Sequence, residues 1–305
     1  LQDREHKLLI VFWRAALYKY SDLLEEIDKF NALGVETGSI GDSSLGQRVP
    51  YIFVGTKGKD NLIVQGAIHA REHITALLIV NQAKFLVKRP ELLLRGGIYF
   101  IPMSNPDGVR ICQEGLSWIN DKKTRARLLE INGSNDFSLW KANINGVDIN
   151  VNFDAKWSKG KQNVFYPHPS NYVGKSPNSE IETLNLIRFT TAVKPLCTLS
   201  YHTKGEIVYW RFGQNKTDLW RDYRLAKGIA NQLGYRLDDG AGSVGGYKDW
   251  CIEKLKIPAF TLEVGSDNYG YPYPYADFQR IYTPNRDLPR KILNYLVKEK
   301  EAQNK

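Results

Sequence analysis

Cysteine is scarce in this chain. Cys112, Cys197 and Cys251 are the only three in 305 residues, they lie far apart, and they form no CxxC pair. That argues against a disulfide scaffold and a thiolate zinc site. Long apolar runs are also missing. The nearest candidate, Leu8 to Tyr20, carries Arg14 and Lys19 and falls short of the roughly 20 residues of a membrane span. It reads instead as a helix with an apolar face. There are no repeats and no low-complexity linker, so residues 1–305 are expected to form a single domain with a frayed polar tail over 298–305. The 42 basic residues exceed the 33 acidic ones, for a formal charge of +9. They are scattered, and no helix-turn-helix, zinc-finger or RNA-binding signature accompanies them. Nucleic acid is therefore not an expected partner. The surplus reads as solubility, or as attraction for an acidic substrate. The start at Leu1 leaves a processed leader open, and with it the compartment: cytoplasm or cell envelope.

What is present is an alternation of strand and helix signals. Asn61–Ile68, Gly97–Met103, Leu196–Tyr201, Ile207–Trp210 and Ala259–Val264 read as strands. The second stops at the turn-like Asn105-Pro106-Asp107-Gly108. Ala76–Leu86, Glu180–Ala192, Leu219–Leu233 and Arg286–Lys298 read as helices, the third ending at Gly234. This pattern predicts an α/β fold of three layers, α/β/α, with a central mixed, mostly parallel twisted sheet. Ligands of such sheets sit at the carboxyl ends of the strands.

Histidine is scarce too, and its placement is informative. The five are His6, His69, His73, His168 and His202. His69 and Glu72 stand three apart where a strand passes into a helix, so both can turn toward one ion. His202 directly follows an apolar strand and can supply a third ligand. Two imidazoles and a carboxylate, with a position left for water, form a catalytic zinc set. His73 lies beside Glu72 and reads as structural or substrate-facing.

The surrounding motifs resemble those of the zinc carboxypeptidases related to pancreatic carboxypeptidase A. They are Gly66-Ala67-Ile68-His69-Ala70-Arg71-Glu72, Ser104-Asn105-Pro106-Asp107-Gly108, Gly146-Val147-Asp148-Ile149-Asn150, Ser179-Glu180-Ile181-Glu182-Thr183, Ser200-Tyr201-His202 and Phe260-Thr261-Leu262-Glu263. They keep the family's order over roughly residues 45–270. The resemblance implies one zinc ion per chain on His69, Glu72 and His202, with Glu263 as the catalytic carboxylate. It makes Asp148 the carboxylate behind a ligand histidine. It places Arg71 and Asn150 in contact with substrate, and Tyr247 and Lys248 in the pocket for the released residue. Glu263 would move a proton from water to the leaving amine.

Departures from the family pattern bear on specificity. Where carboxypeptidases carry an arginine that grips the substrate's terminal carboxylate, this chain has Val151. Lys141 stands at the position of the arginine that stabilises the oxyanion, keeping the charge and losing the bidentate fork. The mobile tyrosine of the digestive enzymes would fall near Ala241. The runs Gly245-Gly246-Tyr247-Lys248-Asp249-Trp250 and 140–150 resemble the bacterial γ-D-glutamyl-diamino acid peptidases, whose substrate presents a side-chain carboxylate suited to Lys248. The expected partner is a peptide or muropeptide. The alternatives are a conventional metallocarboxypeptidase, with Arg71 as the substitute cation, a catalytically silent wall-binding module, and a small-substrate deacylase.

Overall fold

The computed structural model describes residues 17–58, 60–240 and 242–303. Among them runs one sheet of eight strands, built from β1 (Thr37–Asp42), β2 (Arg48–Gly55), β3 (Asn61–Gln65), β4 (Gly97–Ile101), β5 (Cys197–His202), β6 (Ile207–Tyr209), β7 (Arg236–Asp238) and β8 (Ala259–Glu263). Their order across the sheet is β1-β2-β4-β3-β5-β8-β6-β7. The four central strands β4, β3, β5 and β8 are mutually parallel, and antiparallel pairings flank them at β2–β4 and β8–β6. The expected mixed, largely parallel sheet is present.

Strand periodicity divides the core into two layers. Leu62 and Val64 of β3 join one apolar cluster while Ile63 joins the other, because successive side chains point to opposite faces. The first cluster gathers α1 (Tyr20–Ala32), α2 (Ile74–Val87), α6 (Lys216–Leu233), α8 (Phe278–Asn285) and α9 (Leu288–Gln303). The second gathers α5 (Ile181–Val193) and the short α7 (Tyr247–Trp250). Helices α3 (Pro106–Glu114) and α4 (Lys122–Asn132) close a third, smaller cluster around Trp140. β3 is buried along its whole length, as a central parallel strand must be. Truncating one of its side chains to alanine would cost about 2–5 kcal/mol.

Several expectations shift. The Asn105-Pro106-Asp107-Gly108 segment opens α3: the Asn105 side chain accepts from Gly108 N at 3.0 Å, and Pro106 occupies the first turn, where no N–H is needed. The tail expected to fray from Lys298 continues α9 to Gln303. The helix expected over Leu8–Tyr20 lies mostly outside the described residues, and Tyr20 begins α1. Leu233 and Gly234 end α6 as expected, with Gly234 left-handed at φ 72°. Among the described residues no helix is long and apolar enough to cross a membrane.

Candidate metal centre

Three strand ends converge. His202 is the last residue of β5 and Glu263 the last of β8, and the two are paired in register across adjacent parallel strands. Beyond β3 the chain makes a tight exit over Gly66–Ile68, with Ala67 at φ 46°. Ala67 N donates to the Thr75 hydroxyl at 2.8 Å, and that hydroxyl donates to the Glu72 carbonyl at 2.8 Å. The exit is thereby stitched to the start of α2. His69 remains extended, and a single 3-10 turn, Ala70–Glu72, swings the glutamate back beside it.

The three expected ligands meet. His69 Nδ1 lies 2.9 Å from Glu72 Oε1. His202 Nδ1 lies 3.0 Å from Glu72 Oε2 and 3.1 Å from His69 Nδ1. All three residues are buried, and their donor atoms lie within 4.8 Å of one another. Two ring nitrogens this close can share at most one proton, and a carboxylate completes the triangle. Nε2 of His202 is buried without a hydrogen-bond partner. On the far side of His69, Nε2 faces Asp148 Oδ1 at 3.2 Å. A proton held there leaves the Nδ1 lone pair free for a metal. Soft-borderline nitrogen with one carboxylate oxygen suits zinc, so the residues present fit the ion.

Electrostatics points the same way. Burial works to raise the Glu72 carboxyl, but His69 and His202 outweigh it and hold it far below the usual carboxylate range. Burial likewise opposes ionisation of Asp148, and Lys141 with His69 overcomes it. Burial raises the Glu263 carboxyl well above its ordinary value, with Glu72 adding to the rise against the pull of His202. One carboxylate is thus kept ionised for ligation and the other made basic for proton transfer.

An open cavity of about 450 Å³ adjoins this centre, and His69, Lys141, Asn150, Val151, Lys248 and Glu263 all line it. Asn150 is braced from both sides: its N–H donates to Asp148 at 3.0 Å and its side-chain oxygen accepts from Tyr247 N at 3.1 Å. The Lys141 ammonium pairs with Asp148 Oδ2 at 2.7 Å and donates to Asn171 at 3.1 Å. The Lys248 ammonium is bound to Asp249 and donates to the Arg211 carbonyl at 3.2 Å. Two expected substrate contacts are not brought to the cavity wall. Tyr247 is fully buried, and its hydroxyl shares a hydrogen bond with Thr190, so its ring packs the core. Arg71 stacks its guanidinium 4.0 Å above the Tyr271 ring. Tyr271, Tyr273 and Tyr275 are tied into the body of the domain: Tyr271 donates to the Thr203 carbonyl, Tyr273 to Asp277, and Tyr275 meets His73 Nδ1 at 2.8 Å.

Positioning residues escaped the sequence reading. Asn105 donates to the carbonyls of Ile68 and Ala142 at 3.2 and 3.1 Å, clamping the His69 turn to the Lys141 segment. Asn143 donates to Glu180 and Glu182 and accepts from Val147 N, which fixes the loop carrying Asp148. Both lie inside the motifs quoted above, but nothing in the spacing says what an asparagine there holds. Asn171, at φ 64°, bridges Lys141 and Asp148 from a segment no motif marked.

The chain is similar to known proteins in sequence and in fold. The family model described as zinc carboxypeptidase matches residues 20–287. The γ-D-glutamyl-L-diamino acid endopeptidase 1 of Lysinibacillus sphaericus is 30% identical over 280 residues, 87% of this chain and 69% of that protein. Mouse carboxypeptidase A4 is 25% identical over 237 residues, 70% of this chain and 53% of that protein. Among solved structures, bovine thrombin-activatable fibrinolysis inhibitor in complex with tick carboxypeptidase inhibitor superposes with a TM-score of 0.75 at 19% identity, covering 93% of this chain and 99% of that one. The chain therefore belongs to the zinc carboxypeptidase family and is a metallopeptidase.

Proposed function

We propose that the chain holds one zinc ion on His69, Glu72 and His202 and hydrolyses the γ-D-glutamyl–meso-diaminopimelate bond of peptidoglycan stem peptides. Val151 carries this reading. It stands in the cavity wall where the family resemblance calls for an arginine, and a valine cannot pair with a terminal carboxylate. The similarity to the Lysinibacillus endopeptidase supports the same substrate class.

Zinc in this site would supply Lewis acidity, making water more acidic and a peptide carbonyl more electrophilic. The protein's own groups do the rest. Glu263 is at the sheet end beside His202, with a carboxyl that burial renders basic, and it takes a proton from water and delivers it to the departing amine. Asp148 orients the His69 ring and keeps its Nδ1 unprotonated. Lys141, at the cavity wall, offsets negative charge that builds on the carbonyl oxygen, although its pairing with Asp148 shares that charge. Asn150 offers its side-chain amide to the substrate from a braced position.

The test is mass spectrometry of zinc-loaded protein incubated with L-Ala-γ-D-Glu-meso-diaminopimelate, beside an ordinary peptide with a free carboxyl end. Release of diaminopimelate that stops with a chelator is the expected result. Trimming of the ordinary peptide alone would favour the conventional carboxypeptidase reading, toward which the similarity to mouse carboxypeptidase A4 leans.

A further inference from the structure

We propose that Lys161 is the cation that reads a substrate carboxylate in this cleft, supplying at the mouth the charge that Val151 withholds from the wall. The inference rests on the cavity being the peptide cleft of the enzyme, as proposed above. Three lysines reach the cavity: Lys141, Lys161 and Lys248. Two of them are engaged inside the protein. Lys141 lies 2.7 Å from Asp148, whose other oxygen faces a metal ligand, and Lys248 is bound to Asp249 and to the Arg211 carbonyl. A carboxylate approaching either ammonium meets an ion pair whose negative partner is already in place. Breaking such a low-exposure pair to admit a substrate would leave a buried charge behind.

Lys161 differs on both counts. It is exposed at the cavity's edge, and its ammonium makes no ion pair or hydrogen bond among the described residues. Its position is nonetheless built. Lys161 N donates to the Gly242 carbonyl at 3.1 Å, tying the two loops of the mouth together. Gly242 has φ 104°, and a Cβ there would stand 3.1 Å from Lys161 Cδ. The glycine thus accepts a backbone angle other residues avoid and leaves room for the lysine stem to lie against the loop. Asp238, an acid among the lining residues, accepts from Arg236 at 3.1 Å and from Gly240 N at 2.9 Å and makes no pair with Lys161. Arg71, the other cation considered for this role, is stacked on Tyr271 away from the cavity wall.

The chemistry favours a particular kind of carboxylate. An arginine fork demands one planar approach, whereas an ammonium on a flexible stem is a point charge that accepts several. A mouth lysine therefore fits a carboxylate carried on the side chain of the released residue better than one fixed beside the scissile bond.

Two substrate pairs test this. One is L-Ala-γ-D-Glu-meso-diaminopimelate and its forms with each diaminopimelate carboxylate amidated in turn. The other is an ordinary peptide, as free acid and as amide. The quantity read is the ratio of kcat/KM for acid over amide. Wild type is expected to prefer one free carboxylate, Lys161→Met to lower that ratio roughly tenfold through KM, and Lys161→Arg to keep it. An equal ratio in wild type and Lys161→Met, or no preference in wild type, overturns the proposal. Cleavage of only the ordinary pair sinks the diaminopimelate reading while the ratio on that pair still decides the role of Lys161. Cleavage of neither pair overturns both.

Discussion

The two ends of the cleft are built on different principles. At the inner end, His202 and Glu263 are terminal residues of neighbouring central strands, and His69 follows a third within a short stitched turn. Several polar groups there are braced: Asp148 faces His69, Thr203 N donates to Glu72 at 3.2 Å, and Asn105 and Asn143 hold the loops, while His202 Nε2 has no hydrogen-bond partner among the described residues. At the mouth, the lining comes from the loops around 160–163 and 240–246, with Gly160, Gly240, Gly242 and Gly246 among the lining residues and Lys161 exposed. Reaction geometry tolerates little displacement, so it rests on the sheet. Recognition of a substrate group tolerates more, and loops can change it without disturbing the metal end.

That contrast can be broken from the inner end outward. The largest effect is expected from His202→Ala. With one of three ligands gone, zinc content should fall from about one per chain toward zero, and hydrolysis with it; metal analysis after dialysis reads this directly. Near-full zinc retention in that variant would remove His202 from the ligand set. Glu263→Gln should separate the two functions of the same end: turnover drops by roughly 10²–10⁴-fold while zinc stays bound. Asp148→Asn acts one layer further out. The His69 ring loses its charged brace, and zinc affinity should weaken by roughly 10–100-fold, as measured by competition with a chromogenic chelator.

Effects away from the metal end should be smaller and should spare the metal. Asp249→Ala strands the Lys248 ammonium and removes the acceptor for Gly246 N, at a cost of about 3 kcal/mol in urea unfolding with unchanged zinc content. Loss of zinc in this variant would show that the two ends are coupled. The smallest effect lies outside both ends and serves as their control. Burial pushes the Asp107 carboxyl up to about 6, from an ordinary 3.8. The folded chain therefore holds this proton more tightly than the unfolded chain does, and the stabilisation it lends is lost as pH rises from about 4 to about 6. Asp107→Asn should remove that slope, gaining up to about 2–3 kcal/mol on wild type between pH 4 and pH 7 in paired unfolding curves, with zinc binding and turnover unaffected. Parallel curves for the two proteins would refute the raised value.

Legibility in the sequence followed burial only in part, since β2, Arg48–Gly55, is largely buried and was not read. The central strands were readable because they are short continuous apolar runs, and the helices behind them because their apolar residues recur at helical spacing. β1, Thr37–Asp42, was not readable. It is an edge strand with two glycines and no alternation, and it owes its place to pairing with β2. β7, three residues long, is likewise defined only by pairing with β6. The candidate metal cluster His69, Glu72 and His202 could be picked out because histidine is rare here, and the fold brings the three together. The family resemblance put Tyr247 in the pocket, whereas its side chain is fully buried and its hydroxyl meets Thr190.

The residue types that could carry the chemistry were therefore legible in their order along the chain. Two histidines and a glutamate at metal-ligand spacing, a glutamate in an apolar strand and a valine in place of an arginine are facts of the sequence, whereas the raised Glu263 carboxyl is a product of burial. Which charges remain available to a substrate was decided only in three dimensions. Lys141, Lys161 and Lys248 are indistinguishable as letters, and the fold gives two of them an acid partner within the protein and leaves the third facing the cavity. The physical reason is that a side chain's charge acts through its neighbours in space, and those neighbours lie seven residues along the chain for Lys141 and one for Lys248, at spacings that predict nothing until the loops close.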